Sequence, residues 1–107
     1  MTATYVYGIV RAGSAGAQKD GVLGAPVRTL AAGDLAALTS AVPGGDIRAK
    51  RRDVMSHSNV LQDALASGPV VPMRFGTVFE SDADVIARLL EPKRKDLRRL
   101  LDELPPD

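Results

Sequence analysis

Cysteine is absent from this sequence, and so is tryptophan. The first absence excludes disulfides, thiolate catalysis and cysteine-based zinc sites together. Aromatic residues make up only 4%, two Tyr and two Phe, which weakens any reading built on base stacking. An excess of one charge is lacking too. The 14 Lys and Arg face 13 Asp and Glu, for a formal net charge of +1, so no global field draws the chain to nucleic acid or to an anionic membrane. No apolar run nears the roughly 20 residues of a membrane helix. The opening Met1-Thr2-Ala3-Thr4-Tyr5 shows neither the basic nor the apolar region of a signal peptide. A soluble, cytoplasmic protein is expected.

What is present is ordinary for a globular protein: 107 residues, 45% hydrophobic and 25% charged. That length predicts a single domain, 1–107, able to bury about two-thirds of its unfolded surface. Thr4–Val10 reads as a strand with two apolar faces, Tyr5, Tyr7 and Ile9 on one and Val6, Gly8 and Val10 on the other. Gly8 marks a place of close packing. Arg11–Gly24, punctuated by glycines, reads as a long, mobile loop. Pro26–Ala32 and Leu35–Val42 flank Gly33-Asp34 and predict a hairpin on a type II′ turn, with Ala32 opposite Leu35 and Leu30 opposite Ala37. The alanines of LAALTSAV also suit a short helix, but too few residues separate the turn from Pro43-Gly44-Gly45.

Asp46 caps a predicted helix over Ile47–Ser67, closed by Gly68 and Pro69. Val54, His57, Leu61 and Leu65 form its apolar stripe. Val70–Phe79 reads as the strongest strand, with Pro72 at an edge or a bulge. Ser81 and Asp84 resemble a capping box opening a second helix, Asp82–Leu104, kinked at Pro92. The order predicts an α+β fold, an antiparallel sheet with both helices on one face, of a modified ferredoxin-like kind.

No enzyme signature is found. The glycines at 13 and 16 make no phosphate loop, the serines lack a nucleophile-elbow context, and the lone His57 has no further ligands at metal spacing. We read His57 as buried and bonded to a protein group, and assign no catalytic residue, metal or cofactor. Arg48, Lys50, Arg51 and Arg52 crowd the start of the first helix, against its dipole; a solvated face or an anionic partner surface accounts for them. Lys93, Arg94, Lys95, Arg98 and Arg99 interleave with acids and suit pairing within their own helix. Arg74, on an apolar strand, calls for a carboxylate or carbonyl partner, with contact to another protein as the second reading.

Four segments taken together, YVYGI at Tyr5–Ile9, GDLAALTSAVP at Gly33–Pro43, His57-x-x-Val60-Leu61, and VVPMRFGTVF at Val70–Phe79, resemble the N-terminal domain of the gas vesicle GvpF/GvpL family. The last is the most specific. The resemblance implies a non-enzymatic accessory protein of gas vesicle assembly, located at the gas vesicle or in the cytoplasm. Its implied partners are the small shell protein and other gas vesicle accessory proteins, not nucleic acid or membrane. Family members are similar in carrying a further strand and a second, helical domain that this sequence lacks. An unpaired sheet edge would then favour a homodimer. Arg74 and Phe75 are the expected partner-binding residues, with Arg48, Lys50, Arg51 and Arg52 in reserve. Two other classes stand beside this one: a small ligand-sensing or oligomerising domain, and a nucleic-acid module that would use Tyr5, Tyr7, Phe75 and Phe79.

Overall fold

A computed structural model describes residues 2–13, 20–44 and 50–103. Strand β1 (Thr2–Arg11) leads to a short 3-10 turn (Val22–Gly24), then to the hairpin strands β2 (Arg28–Ala32) and β3 (Leu35–Pro43). Helix α1 (Arg51–Leu65), strands β4 (Val71–Pro72) and β5 (Val78–Phe79), and helices α2 (Asp82–Val85) and α3 (Arg94–Glu103) follow. The sheet is antiparallel in the order β2-β3-β1-β4, with β5 also on β1. The fold is α+β, as the sequence predicts.

The hairpin matches its predicted register, Ala32 opposite Leu35 and Leu30 opposite Ala37. Gly33 supplies the positive φ, +63°, required at the first turn position. Asp34 then ties the turn to α3, in an ion pair with Arg98 Nε at 2.7 Å and accepting from Arg94 Nε at 3.3 Å. These arginines therefore pair across to the hairpin, while Arg99 reaches Asp96 within its own helix at 3.6 Å.

β1 corrects the expected face assignment. Val6 faces Thr39 and Gly8 faces Leu38, so Tyr7 is an extra residue, a β-bulge. The bulge resets the alternation. Tyr5, Tyr7 and Val10 now share a core with Leu38, Val60 and Ala64, while Val6 and Ile9 join Leu35, Val85, Leu89, Leu97 and Leu101. Consequently α1 covers one face of the sheet and α2 with α3 the other, not both on one face. A central strand that is apolar on both sides needs both sides covered, and β1 is buried from Ala3 to Val10.

Close packing at Gly8 holds. A Cβ there would meet Leu61 Cδ2 and the Val71 carbonyl oxygen at 2.9 Å each. Gly8→Ala is expected to cost about 1–3 kcal/mol through overpacking against backbone that cannot yield, checked by chemical denaturation.

The helices also depart from expectation at their ends. Asp46, Ile47 and Arg48 lie outside the described residues; α1 begins after Lys50, whose side chain makes no cap bond. It ends at Leu65, ahead of Gly68 and Pro69. The second predicted helix is two. Ser81 Oγ accepts from the Asp84 N–H at 3.2 Å, the expected cap. The chain then widens into a π-turn over Ile86–Leu90, with the Glu91 N–H reaching the Ile86 carbonyl at 2.9 Å. Pro92, which cannot donate and whose ring crowds the preceding turn, breaks the helix just after it. Asp82, at the start of α2, accepts from Thr4 Oγ1 at 2.6 Å and is forked by Arg28 at 3.3 Å. These bonds pull its carboxyl below the usual carboxylate range, Thr4 contributing most.

Candidate functional site

The predicted strand Val70–Phe79 is not continuous. Gly8 faces Pro72 and Tyr5 faces Val78, so three steps along β1 are matched by six on the partner segment. Met73 N–H still reaches the Tyr7 carbonyl at 2.9 Å, and Val6 N–H the Thr77 carbonyl at 2.9 Å. Arg74, Phe75 and Gly76 are left over and loop out. Gly76 takes a φ of +87° to make the loop, and Thr77 closes it, its N–H and hydroxyl both donating to the Arg74 carbonyl at 3.2 and 2.7 Å. The most specific motif of the sequence, Pro72-x-Arg74-Phe75-Gly76-Thr77, is thus a bulge rather than a strand.

Buried side chains hold this bulge from beneath. His57 Nε2 lies 2.9 Å from the Met73 carbonyl oxygen and Nδ1 lies 2.8 Å from the Tyr5 hydroxyl. A carbonyl only accepts, so Nε2 carries the proton, Nδ1 accepts from the Tyr5 O–H, and the ring is neutral. The Tyr5 oxygen accepts in turn from the Gly76 N–H at 3.0 Å. Phe75 lies edge-on to both rings, 6.0 Å from Tyr5 and 5.9 Å from His57. Burial pushes the Tyr5 phenol up to about 12 and the His57 imidazole down. Each shift favours the neutral form that this chain of bonds requires.

Tyr7 does the same for the preceding loop. Its hydroxyl accepts from the Val22 N–H at 3.0 Å and meets Ser40 Oγ at 2.7 Å; Ser40 donates onward to the Pro26 carbonyl at 2.9 Å. Val22 is fully buried, so the end of the predicted mobile loop is anchored core; positions 14–19 lie outside the described residues. Next to it Leu23 is held at φ 56°, the one positive-φ residue other than glycine among the described residues. The buried carboxylate of Asp53 accepts its N–H at 3.0 Å.

Arg74 sits exposed on the bulge and makes no ion pair with a described residue. Among the described residues the expected structural partner is not found, because looping out removes the guanidinium from the strand's apolar surroundings. Phe75 is half-buried against Tyr5 and His57. Lys50, Arg51 and Arg52 are exposed at the start of α1; Arg48 lies outside the described residues. His57 joins the bulge to α1 seven residues after Lys50, about 10 Å along the helix axis. Both groups of candidates therefore attach to one helix.

The sequence reading placed His57 correctly as a buried, protein-bonded ring. It missed Tyr5 and Tyr7 as posts for two loops, although a buried phenol always calls for a partner. With both ring nitrogens engaged and 6% exposure, His57 offers no free nitrogen to a substrate or a metal. Tyr5 and Tyr7 are fully buried and Phe79 half-buried, which removes the stacking surface that the nucleic-acid reading needs.

Over residues 3–105 the chain matches the family described as gas vesicle synthesis protein GvpL/GvpF. It belongs to that family. It is 48% identical over 101 residues to gas vesicle protein F of Streptomyces sp. (strain CB03234), covering 91% of this chain and 42% of the relative. It is 38% identical over 58 residues to gas vesicle protein F of Nostoc sp. (strain PCC 7120 / SAG 25.82 / UTEX 2576), covering 52% and 24%. The crystal structure of GvpF from Anabaena sp. PCC7120 superposes with a TM-score of 0.87 at 27% identity, over 97% of this chain and 45% of that one. GvpF from Microcystis aeruginosa gives 0.77 at 27% identity, over 95% and 43%. The chain spans less than half the length of these relatives. Among the described residues no helix is long and apolar enough to cross a membrane.

Proposed function

We propose that this chain is an accessory protein of gas vesicle assembly, that it catalyses nothing, and that it binds the small shell subunit at the vesicle or in the cytoplasm. The observation that carries the reading is the bulge at Arg74–Gly76. Buried Tyr5 and His57 fix its backbone through two hydrogen bonds, at Met73 and Gly76, and are joined to each other by a third, yet Arg74 on its crest meets no carboxylate among the described residues. A rigid support for an unpaired guanidinium serves recognition better than stability. Family membership supplies the class of partner. An apolar shell subunit needs protection from aggregation before it joins the wall, and β2, at the end of the sheet order, adds an edge suited to backbone pairing.

The test is co-expression of the tagged chain with the shell subunit, followed by pull-down. Wild type is expected to capture the subunit, and Arg74→Glu to lose at least about tenfold of that capture while keeping its melting temperature, because the side chain is exposed. Capture by a full-length relative but not by this chain would place binding elsewhere and end the proposal. Equal capture by a folded Arg74→Glu variant would remove Arg74 from the interface.

A further inference from the structure

Helix α1 carries a second surface that no contact between described residues explains. From Lys50 to Ser67 the exposed charged side chains are Lys50, Arg51 and Arg52, all cationic. Lys50 and Arg51 make no ion pair with a described residue, and Arg52 reaches only the buried Asp53, at 3.7 Å. By contrast Arg11, Arg28, Arg94 and Arg98 each have a carboxylate across the fold. Cations in a first helical turn oppose the macrodipole, so the arrangement works against the helix that bears it.

Apolar residues accompany these charges. Val54 and Met55 are 38% and 54% exposed, two of the four large exposed hydrophobics among the described residues. Arg51, Val54, Met55 and Ser58 follow the i, i+3, i+4, i+7 spacing and are all exposed, which sets them on one outward stripe. The opposite stripe, Asp53, His57, Val60 and Ala64, is the buried one. Val54 lies one helical turn before His57, the residue that holds the bulge through Met73.

We propose that this stripe docks an acidic, amphipathic segment of the partner protein, its carboxylates on Lys50 and Arg51 and its apolar side chains on Val54 and Met55. The inference rests on the reading of the chain as a binder of another gas vesicle protein, and adds the location of a second contact and the chemistry of the segment that fills it. Charge complementarity selects the occupant, since among the described residues the stripe offers cations with no competing exposed acid. Two apolar side chains at its centre favour a protein segment over a phosphate backbone, which they would meet without gain.

The experiment places a photoreactive phenylalanine analogue at position 55, and separately at position 74, in the chain expressed with the gas vesicle genes. Cross-linked peptides are then sequenced. Position 55 is expected to yield an adduct with a gas vesicle protein, at a segment rich in Asp and Glu with apolar residues at helical spacing. Arg51→Glu should cut that yield about fivefold or more while raising the melting temperature by about 2–4 °C, because a carboxylate suits the first helical turn. An adduct from position 74 but none from 55 overturns the docking stripe and leaves the proposed function standing. No gas vesicle protein at either position overturns both. A nucleic-acid or lipid adduct at 55, a cross-linked segment without acids, or a yield unchanged in Arg51→Glu each overturns the stripe.

Discussion

Replacing His57 by alanine is expected to lower the stability of the chain by about 3–5 kcal/mol, a fall in melting temperature on the order of 20 °C. Three losses combine. The Met73 carbonyl and the Tyr5 hydroxyl each lose a buried partner. The ring also leaves a void between Tyr5, Tyr7 and Phe75, whose centroids surround it at 5.6 to 5.9 Å. Tyr5→Phe probes the same network more gently: it keeps the ring, strands the Gly76 N–H and the His57 Nδ1, and is expected to cost about 1–3 kcal/mol.

The pH dependence of wild type carries the signature of that network. Burial depresses the His57 imidazole below its ordinary 6.5. The unfolded chain therefore binds the proton first, and the stability that the neutral ring contributes is complete above pH 6.5 and declines as pH falls below it. Tyr5 acts at the other limb. Its phenol is pushed from 10.0 up to about 12, so its contribution is complete below pH 10 and is lost between there and about pH 12. Urea midpoints measured across both windows check the signs. In His57→Ala the decline that sets in just below pH 6.5 should disappear, leaving the carboxylate-driven fall further down, where Asp82 loses its bonds to Thr4 and Arg28. A decline unchanged in the variant would show that another group titrates there.

How much of this was legible depended on whether the signal was local. The hairpin register was legible because two residues, Gly33 and Asp34, fix the turn and the turn fixes everything after it. The Ser81 cap was legible because it acts over three residues. The face assignment of β1 was not, because the bulge at Tyr7 arises from how β1 meets β3 and leaves no mark on the alternation TYVYGIV. The same holds for the segment 70–79. Its composition is that of a strand, but the three surplus residues exist only relative to the register of β1. Helices on both faces follow from that central strand: its apolar residues on two sides are visible in the sequence, but which helix covers which side depends on the register that the bulge sets. At the site, Arg74 and Phe75 stood out as a charged and an aromatic residue in a specific motif. Tyr5 and His57, which hold them, are fifty-two positions apart and share no spacing that a single sequence displays.

Gly21 marks the second post, and its substitution has the other large expected effect. A Cβ at that position would collide with the Tyr7 hydroxyl and stand 2.7 Å from its Cζ and 3.2 Å from Val27 Cγ2. Tyr7 cannot retreat, because the strand that carries it is central and its hydroxyl is committed to the Val22 N–H and to Ser40. Gly21→Ala therefore either expels the phenol or displaces the loop, and both routes leave buried polar groups unpaired. We expect a loss of about 3 kcal/mol or more by chemical denaturation, together with faster hydrogen exchange at the Val22 amide, now without its acceptor. The double variant separates collision from mere loss of a glycine. Tyr7→Phe alone costs about 1–3 kcal/mol by stranding the Val22 N–H, but in the Gly21→Ala background it also deletes the hydroxyl, the nearer of the two colliding atoms. The two losses should fall short of additive by at least about 1 kcal/mol. Strict additivity would mean that the loop moves away from Tyr7 at little cost, and that the hydroxyl does not hold Val22 against the sheet.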